Sequence, residues 1–163
     1  MNLKRLLLIR HAICDELSET INYEGREQVE AVVAPTRTFI DRGRKDRLRG
    51  LDFISSTQRR AIDTILFLGD KLGGLGILNT IEALQYSTET SGLSPFYDII
   101  ENSDAEMAIA AGHKEFVECF PVFLKRQKRW ASRNTQERGY CQGYYFDLVS
   151  KEYKLFPEEM QTG

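Results

Sequence analysis

Leu6-Leu7-Leu8-Ile9-Arg10-His11-Ala12 is the stretch on which the reading of the fold turns. Leu6 to Ile9 is an unbroken apolar run, as expected of a short strand covered on both faces of a sheet. Core burial accounts for those four residues completely. Arg10 and His11 are the surplus. In open α/β sheets, ligands bind in the crevice beyond the carboxyl ends of the strands, which is where residues just after Ile9 would lie.

Working outward, strand-like and helix-like segments alternate. After a polar, turn-like segment from Glu16 to Asn22, a helix opens near Glu24. Val29, Val32, Val33, Phe39 and Ile40 fall at helical spacing along it. Pro35 lies inside this pattern and predicts a kink or break near Ala34, since an interior proline costs about 3 kcal/mol. The basic stretch from Arg42 to Arg49 reads as a solvated helix end and loop. Leu51 to Ser55 reads as a second strand, followed by a helix capped by Ser56 or Thr57 and carrying Ala61, Ile65, Leu68 and Leu72. A third strand is expected at Gly76 to Thr80, a short helix at Phe96 to Ile100, and a fourth strand at Glu106 to Ala111. The next helix presents Phe116, Val117, Phe120, Phe123 and Leu124, with a kink expected at Pro121. Cys141 to Val149 alternates as an antiparallel or edge strand would. This order predicts a three-layer α/β/α sandwich around a mostly parallel sheet with one antiparallel strand.

Composition bounds the function. At 163 residues, 42% hydrophobic and 28% charged, the chain suits one domain spanning residues 1–163 with a real core. With 22 basic and 24 acidic residues, a net charge of -2 gives no global attraction to nucleic acid or an anionic membrane, so neither is an expected partner. The apolar run at Leu6 is far shorter than the roughly 7–15 residues of a signal-peptide core or the roughly 20 of a membrane span, which predicts a cytoplasmic protein. Cys14, Cys119 and Cys141 form no CxxC pair and leave one thiol over, which favours reduced cysteines.

Both histidines of the chain, His11 and His113, directly follow predicted strands. A parallel sheet would bring them to one edge. Arg10 stands beside His11, and Arg59-Arg60 open the helix after the second strand. Guanidinium groups bind phosphate oxygens in bidentate fashion and a helix N-terminus adds backbone donors, so this convergence predicts an anion site.

Four segments together resemble the histidine phosphatase (phosphoglycerate mutase-like) superfamily. Arg10-His11-Ala12 is similar to its opening Arg-His-Gly. Ile21-Asn22-Tyr23-Glu24-Gly25-Arg26-Glu27-Gln28 resembles its Leu-Thr-x-x-Gly-x-x-Gln segment. The stretch from Ser56 to Ile65 resembles its Ser-Pro-x-x-Arg-Ala-x-x-Thr-Ala motif, and Gly112-His113 its late Gly-His. In length the chain looks most like the short bacterial phosphohistidine phosphatases. The resemblance implies a phosphoglycerate mutase-like fold and a phosphatase in which His11 attacks phosphorus and carries a phosphohistidine intermediate. It implies that Arg10, Arg60 and His113 hold the phosphoryl oxygens, with no metal and no cofactor required. Glu82, after the third strand, is the carboxylate best placed by order to be the general acid, with Glu89 and Asp15 as rivals. The expected partner is a phosphorylated protein or a small phosphorylated metabolite. Ala12, Thr57 and Ile65 depart from the motifs, and the Ala12 methyl is expected to narrow the pocket.

Other chemistries fit less well. The residues six beyond the cysteines are Thr20, Lys125 and Asp147, so Cys-x5-Arg is absent. No Gly-x-x-x-x-Gly-Lys or Gly-x-Gly-x-x-Gly is found. Two histidines far apart in sequence give poor support to a hydrolytic metal site. The alternatives that stay open are a phosphatase of small phosphate esters in the same superfamily and a non-catalytic module that binds a phospho-ligand or protein.

Overall fold

The computed structural model describes residues 2–74, 76–131, 133 and 135–160. Its strands are β1 (Arg5–Arg10), β2 (Leu51–Ser55), β3 (Leu78–Thr80), β4 (Met107–Gly112), β5 (Gly143–Asp147) and β6 (Glu152–Phe156), and its helices are α1 (Tyr23–Lys45), α2 (Arg59–Lys71), α3 (Ser94–Glu101) and α4 (Lys114–Gln127). The strands form one sheet in the order β3-β2-β4-β1-β5-β6. β1 to β4 run parallel, and β5 runs against both β1 and β6, so it alone opposes the common direction.

Alternation along the strands divides the core. Leu6 and Leu8 join Ile54, Ala108, Ala110, Tyr144 and Phe146 beneath α3 and α4, where Phe96, Phe116 and Phe120 pack edge-on or stacked. Leu7 and Ile9 face the other way, with Phe53, Ile109 and Ala111 against Val29, Val32, Phe39, Ala61, Ile65 and Leu68 of α1 and α2. This is the α/β/α sandwich with one antiparallel strand that the sequence predicts. Among the described residues no helix is long and apolar enough to cross a membrane.

Three local expectations are corrected. α1 and α4 both continue through their interior prolines, Pro35 and Pro121, so the alternative of a break near Ala34 is excluded. Both prolines are buried between apolar turns, Val29 and Val32 before Phe39 and Ile40 in one case, Val117 and Phe120 before Phe123 and Leu124 in the other. Packing of both flanks outweighs the local cost of a missing backbone bond. The N-cap of α2 is Gln58, and its side chain makes no capping bond; Ser56 Oγ accepts from the Gln58 N–H at 3.3 Å from outside the helix. β6 was not expected, because Glu152 and Lys154 break its apolar pattern, as charges do on an edge strand.

Register is what builds the site. Ile9 pairs with Ala111 and Arg10 with Gly112, while Ser55 of β2 also pairs with Ala111. Three neighbouring parallel strands therefore end at the same level, releasing His11, Ser56 and His113 together. The antiparallel β5 starts there as well, with Gly143 opposite Ile9. A Cβ at Gly143 would lie 1.9 Å from the Leu8 carbonyl oxygen, so only glycine permits this close pairing.

Candidate active site

His11 leaves β1 with its N–H donating to the Gly112 carbonyl at 3.0 Å, which locks its backbone to the end of β4. Its ring Nδ1 lies 2.8 Å from the Ala12 carbonyl oxygen. A carbonyl only accepts, so Nδ1 carries the proton and the lone pair is on Nε2. The loop beyond is fastened on two sides. The Ala12 N–H donates to Thr64 Oγ1 at 2.9 Å, and that hydroxyl donates to the Arg60 carbonyl at 2.7 Å. The Ile13 N–H donates to Gln28 Oε1 at 2.9 Å, and Asn22 Oδ1 caps α1 by accepting from the Gly25 N–H at 2.9 Å. A Cβ at Gly25 would fall 2.2 Å from the Ile13 carbonyl oxygen. The Asn-x-x-Gly-x-x-Gln segment thus acts on the site by pressing the start of α1 against the His11 loop.

His113 is the N-cap residue of α4, in extended conformation, and its Nε2 is 2.9 Å from Ser56 Oγ. The two imidazole centroids are 5.3 Å apart at an interplanar angle of 62°, and both residues are 8% exposed. Burial draws His11 down from 6.5 to about 4; the Ala12 carbonyl opposes this, and His113, Arg60 and Arg10 add to it. His113 is likewise brought to about 4 by burial and then by Arg60, against the weaker opposing pull of Glu115 and Glu19. Both rings are neutral at pH 7.

Arg10 donates through one terminal nitrogen to the Arg138 carbonyl at 3.2 Å, and its guanidinium carbon sits 3.9 Å from the centroid of the Tyr140 ring. Tyr140 in turn lies 5.9 Å from His11, ring to ring. Arg60 pairs with Glu19 at 3.6 Å. The Nε of Arg10 and of Arg60 are buried with no hydrogen-bond partner among the described residues. A buried donor left unpaired costs about 1–3 kcal/mol, and an anion that accepts from it removes that cost.

A cavity of about 240 Å³ beside these groups is lined by Glu19, Gln58, Arg60, Gln85, His113 and Glu115. Of the residues expected from sequence, Arg60 and His113 line this cavity, while His11 lies ring to ring 5.3 Å from His113 and within the fields of Arg10 and Arg60. Glu82 does not line this cavity: it is exposed in a short 3-10 turn (Glu82–Gln85) and accepts from the Tyr86 hydroxyl at 3.1 Å. Ala12 is fully buried in the apolar cluster under α1 and α2 and is not part of the lining, so its methyl does not narrow this cavity. No group of three or more His, Cys, Asp or Glu residues among those described is arranged to hold a metal ion.

Sequence reasoning missed several contributors. Gln58 and Thr64 lie within the quoted motif and carried a signal by position. Glu115 stands two residues after His113. Glu19 lay in a segment read only as a turn, where it adopts φ 57°. Tyr140 and Gln85 carried no signal, since their places depend on how β5 and the turn after β3 pack.

No family model matches the chain, and no curated protein matches it. Solved structures do. The protein histidine phosphatase SixA in complex with tungstate aligns with a TM-score of 0.64 at 12% identity, covering 93% of this chain and 93% of that one. A mycobacterial glucosyl-3-phosphoglycerate phosphatase in complex with VO3 aligns at 0.61 and 13% identity, covering 93% and 96%. A mycobacterial hydrolase aligns at 0.58 and 15%, covering 94% and 96%. At such identities the likeness is one of fold, and it extends over nearly the whole of both chains. The chain has the histidine phosphatase, phosphoglycerate mutase-like fold.

Proposed function

We propose that the protein is a phosphatase in which His11 Nε2 attacks phosphorus and water then releases phosphate from the resulting phosphohistidine. The observation that carries this reading is the tautomer of His11: a ring neutral at pH 7, its proton fixed on Nδ1 by the Ala12 carbonyl, leaving Nε2 free as a lone pair beside two arginines. In the first step the Nε2–P bond forms as the bond to the leaving group breaks. In the second, a water oxygen takes the phosphoryl group and His11 regains its neutral form. Arg10 and Arg60 neutralise the phosphoryl oxygens through donors already stripped of water, and His113 contributes a ring N–H as charge builds on those oxygens. The oxyanions tungstate and VO3 bound to proteins of the same fold support an oxyanion reading of this pocket.

The substrate that fits best is a phosphohistidine side chain presented by another protein. A cavity of about 240 Å³ lined by polar and charged side chains accommodates a phosphoryl group and its immediate carrier. The nitrogen–phosphorus bond also breaks readily, and its imidazole leaving group can take a proton from water. Glu82, held by Tyr86 outside the cavity, is given no role in that step. The test compares kcat/KM for a phosphohistidine peptide, 3-phosphoglycerate and an aryl phosphate. The expected order places the phosphohistidine peptide first. A clear preference for a small ester would make the protein a metabolite phosphatase, and absence of turnover with all three would favour a phospho-ligand-binding module.

A further inference from the structure

The lining of the cavity around Arg60 is chemically one-sided. Glu19 and Glu115 are its carboxylates, and Gln58 and Gln85 its carboxamides; Arg60 is its only cation among the described residues. The amides hold each other, Gln58 Nε2 donating to Gln85 Oε1 at 3.0 Å while Gln85 Nε2 donates to Thr57 Oγ1, so this part of the wall is fixed and neutral. Arg60 is already shared with Glu19 at 3.6 Å. The next cation, Lys114, feels Arg10 but is paired with Glu137 at 2.5 Å. A phosphoryl group held by Arg10 and Arg60 thus occupies the cations of the site, whereas whatever carries it meets Glu115 and a Glu19 whose partner Arg60 is then shared with the phosphate, with no further cation in the lining among the described residues.

We propose, resting on the phosphatase reading above, that this rim selects substrates by the charge of the phosphoryl carrier. It admits phosphoryl groups on neutral or cationic carriers, such as imidazoles and amino-alcohols, and rejects those with a second anionic group near the phosphate. Glu19 and Glu115 are the specificity-determining residues. Neither is buried, so each acts as a screened charge; at a solvent-exposed separation of several ångströms each shifts selectivity by about threefold to tenfold.

The experiment uses three phosphomonoesters of similar size whose carriers bear one positive charge, none and one negative charge: phosphoethanolamine, propyl phosphate and 2-carboxyethyl phosphate. Their kcat/KM values are measured, and so are their dissociation constants in competition with vanadate. The expected wild-type result is a cationic-to-anionic preference of about tenfold or more in both quantities, shrinking in 0.5 M NaCl as screening shortens the reach of the rim. Glu115→Gln and Glu19→Gln should each reduce the preference about threefold or more, and the double variant should bring it close to one. A flat or reversed wild-type order, or a preference that persists in the double variant, overturns the proposal. Charge-ordered vanadate competition with no turnover of these esters or of a phosphohistidine peptide would leave the rim's selectivity standing and remove the catalytic reading; failure of vanadate and all three esters to bind removes both.

Discussion

Replacing His11 with asparagine removes a titrating ring and keeps a donor within reach of the Ala12 carbonyl, which makes His11→Asn a direct probe of what burial does to this histidine. In the folded protein His11 is drawn from 6.5 to about 4, so between those values the unfolded chain binds a proton that the native state does not. Stability therefore rises with pH across this window, is fully present above 6.5, and is lost as pH falls toward 4. At about 1.4 kcal/mol per pKa unit the contribution is about 3 kcal/mol, a large part of the roughly 5–15 kcal/mol that holds a domain together. His11 and His113 each lie in the other's field, so the native protein titrates as a pair and the loss extends over a broad range. The assay is urea unfolding of wild type and His11→Asn at intervals between about pH 7.5 and pH 4.5. Buried tyrosines and paired carboxylates such as Glu106 and Glu137 are common to both proteins, so the difference between the two curves reports His11 together with its coupling to His113. Wild type should lose about 2–3 kcal/mol more than the variant over that range. Parallel curves would refute the reasoning, because they would mean that His11 titrates alike folded and unfolded.

The same neutrality sets the acid limb of activity: kcat/KM should hold from pH 7 down to about 5 and fall nearer 4, and a limb centred at 6.5 would contradict it. Thr64→Val keeps the shape of a fully buried side chain but leaves the Ala12 N–H unpaired, which should cost about 1–3 kcal/mol in chemical unfolding and lower kcat by loosening the His11 loop. Cys14, three residues beyond His11, is not the nucleophile in this account; Cys14→Ser should retain activity, whereas His11→Ala should lose several orders of magnitude in kcat.

The parts legible in the sequence were those fixed by short-range pattern. β2 was read at its observed bounds, because the five residues that follow Gly50 run directly into Ser56 and Thr57 and admit little else. Arg10, His11 and His113 could be placed because an apolar run before a polar residue locates a strand end, and parallel strands end together. Arg60 followed from the helix that β2 leads into. What escaped was set by long-range packing. The continuity of α1 past Pro35 depends on two apolar flanks sharing one core, and β6 depends on Tyr153 and Phe156 reaching the cores on opposite faces of the sheet while Lys154 faces water. The carboxylates of the cavity were harder still. Glu82 follows β3 as the order suggested, yet the turn it starts directs Gln85 to the cavity and leaves Glu82 with Tyr86. Order along the chain does not determine which way a turn faces.

If His11 is the nucleophile, every phosphoryl group hydrolysed passes through its Nε2. Rapid quench of wild type with a radiolabelled phosphoryl substrate, followed by digestion under alkaline conditions and mass spectrometry, tests it most directly. The expected product is an acid-labile, alkali-stable phosphate on the peptide that contains His11, formed within the first turnover and absent in His11→Ala. Label on Cys14 or His113, or hydrolysis at full rate with no phosphoryl-protein at any time, would contradict it.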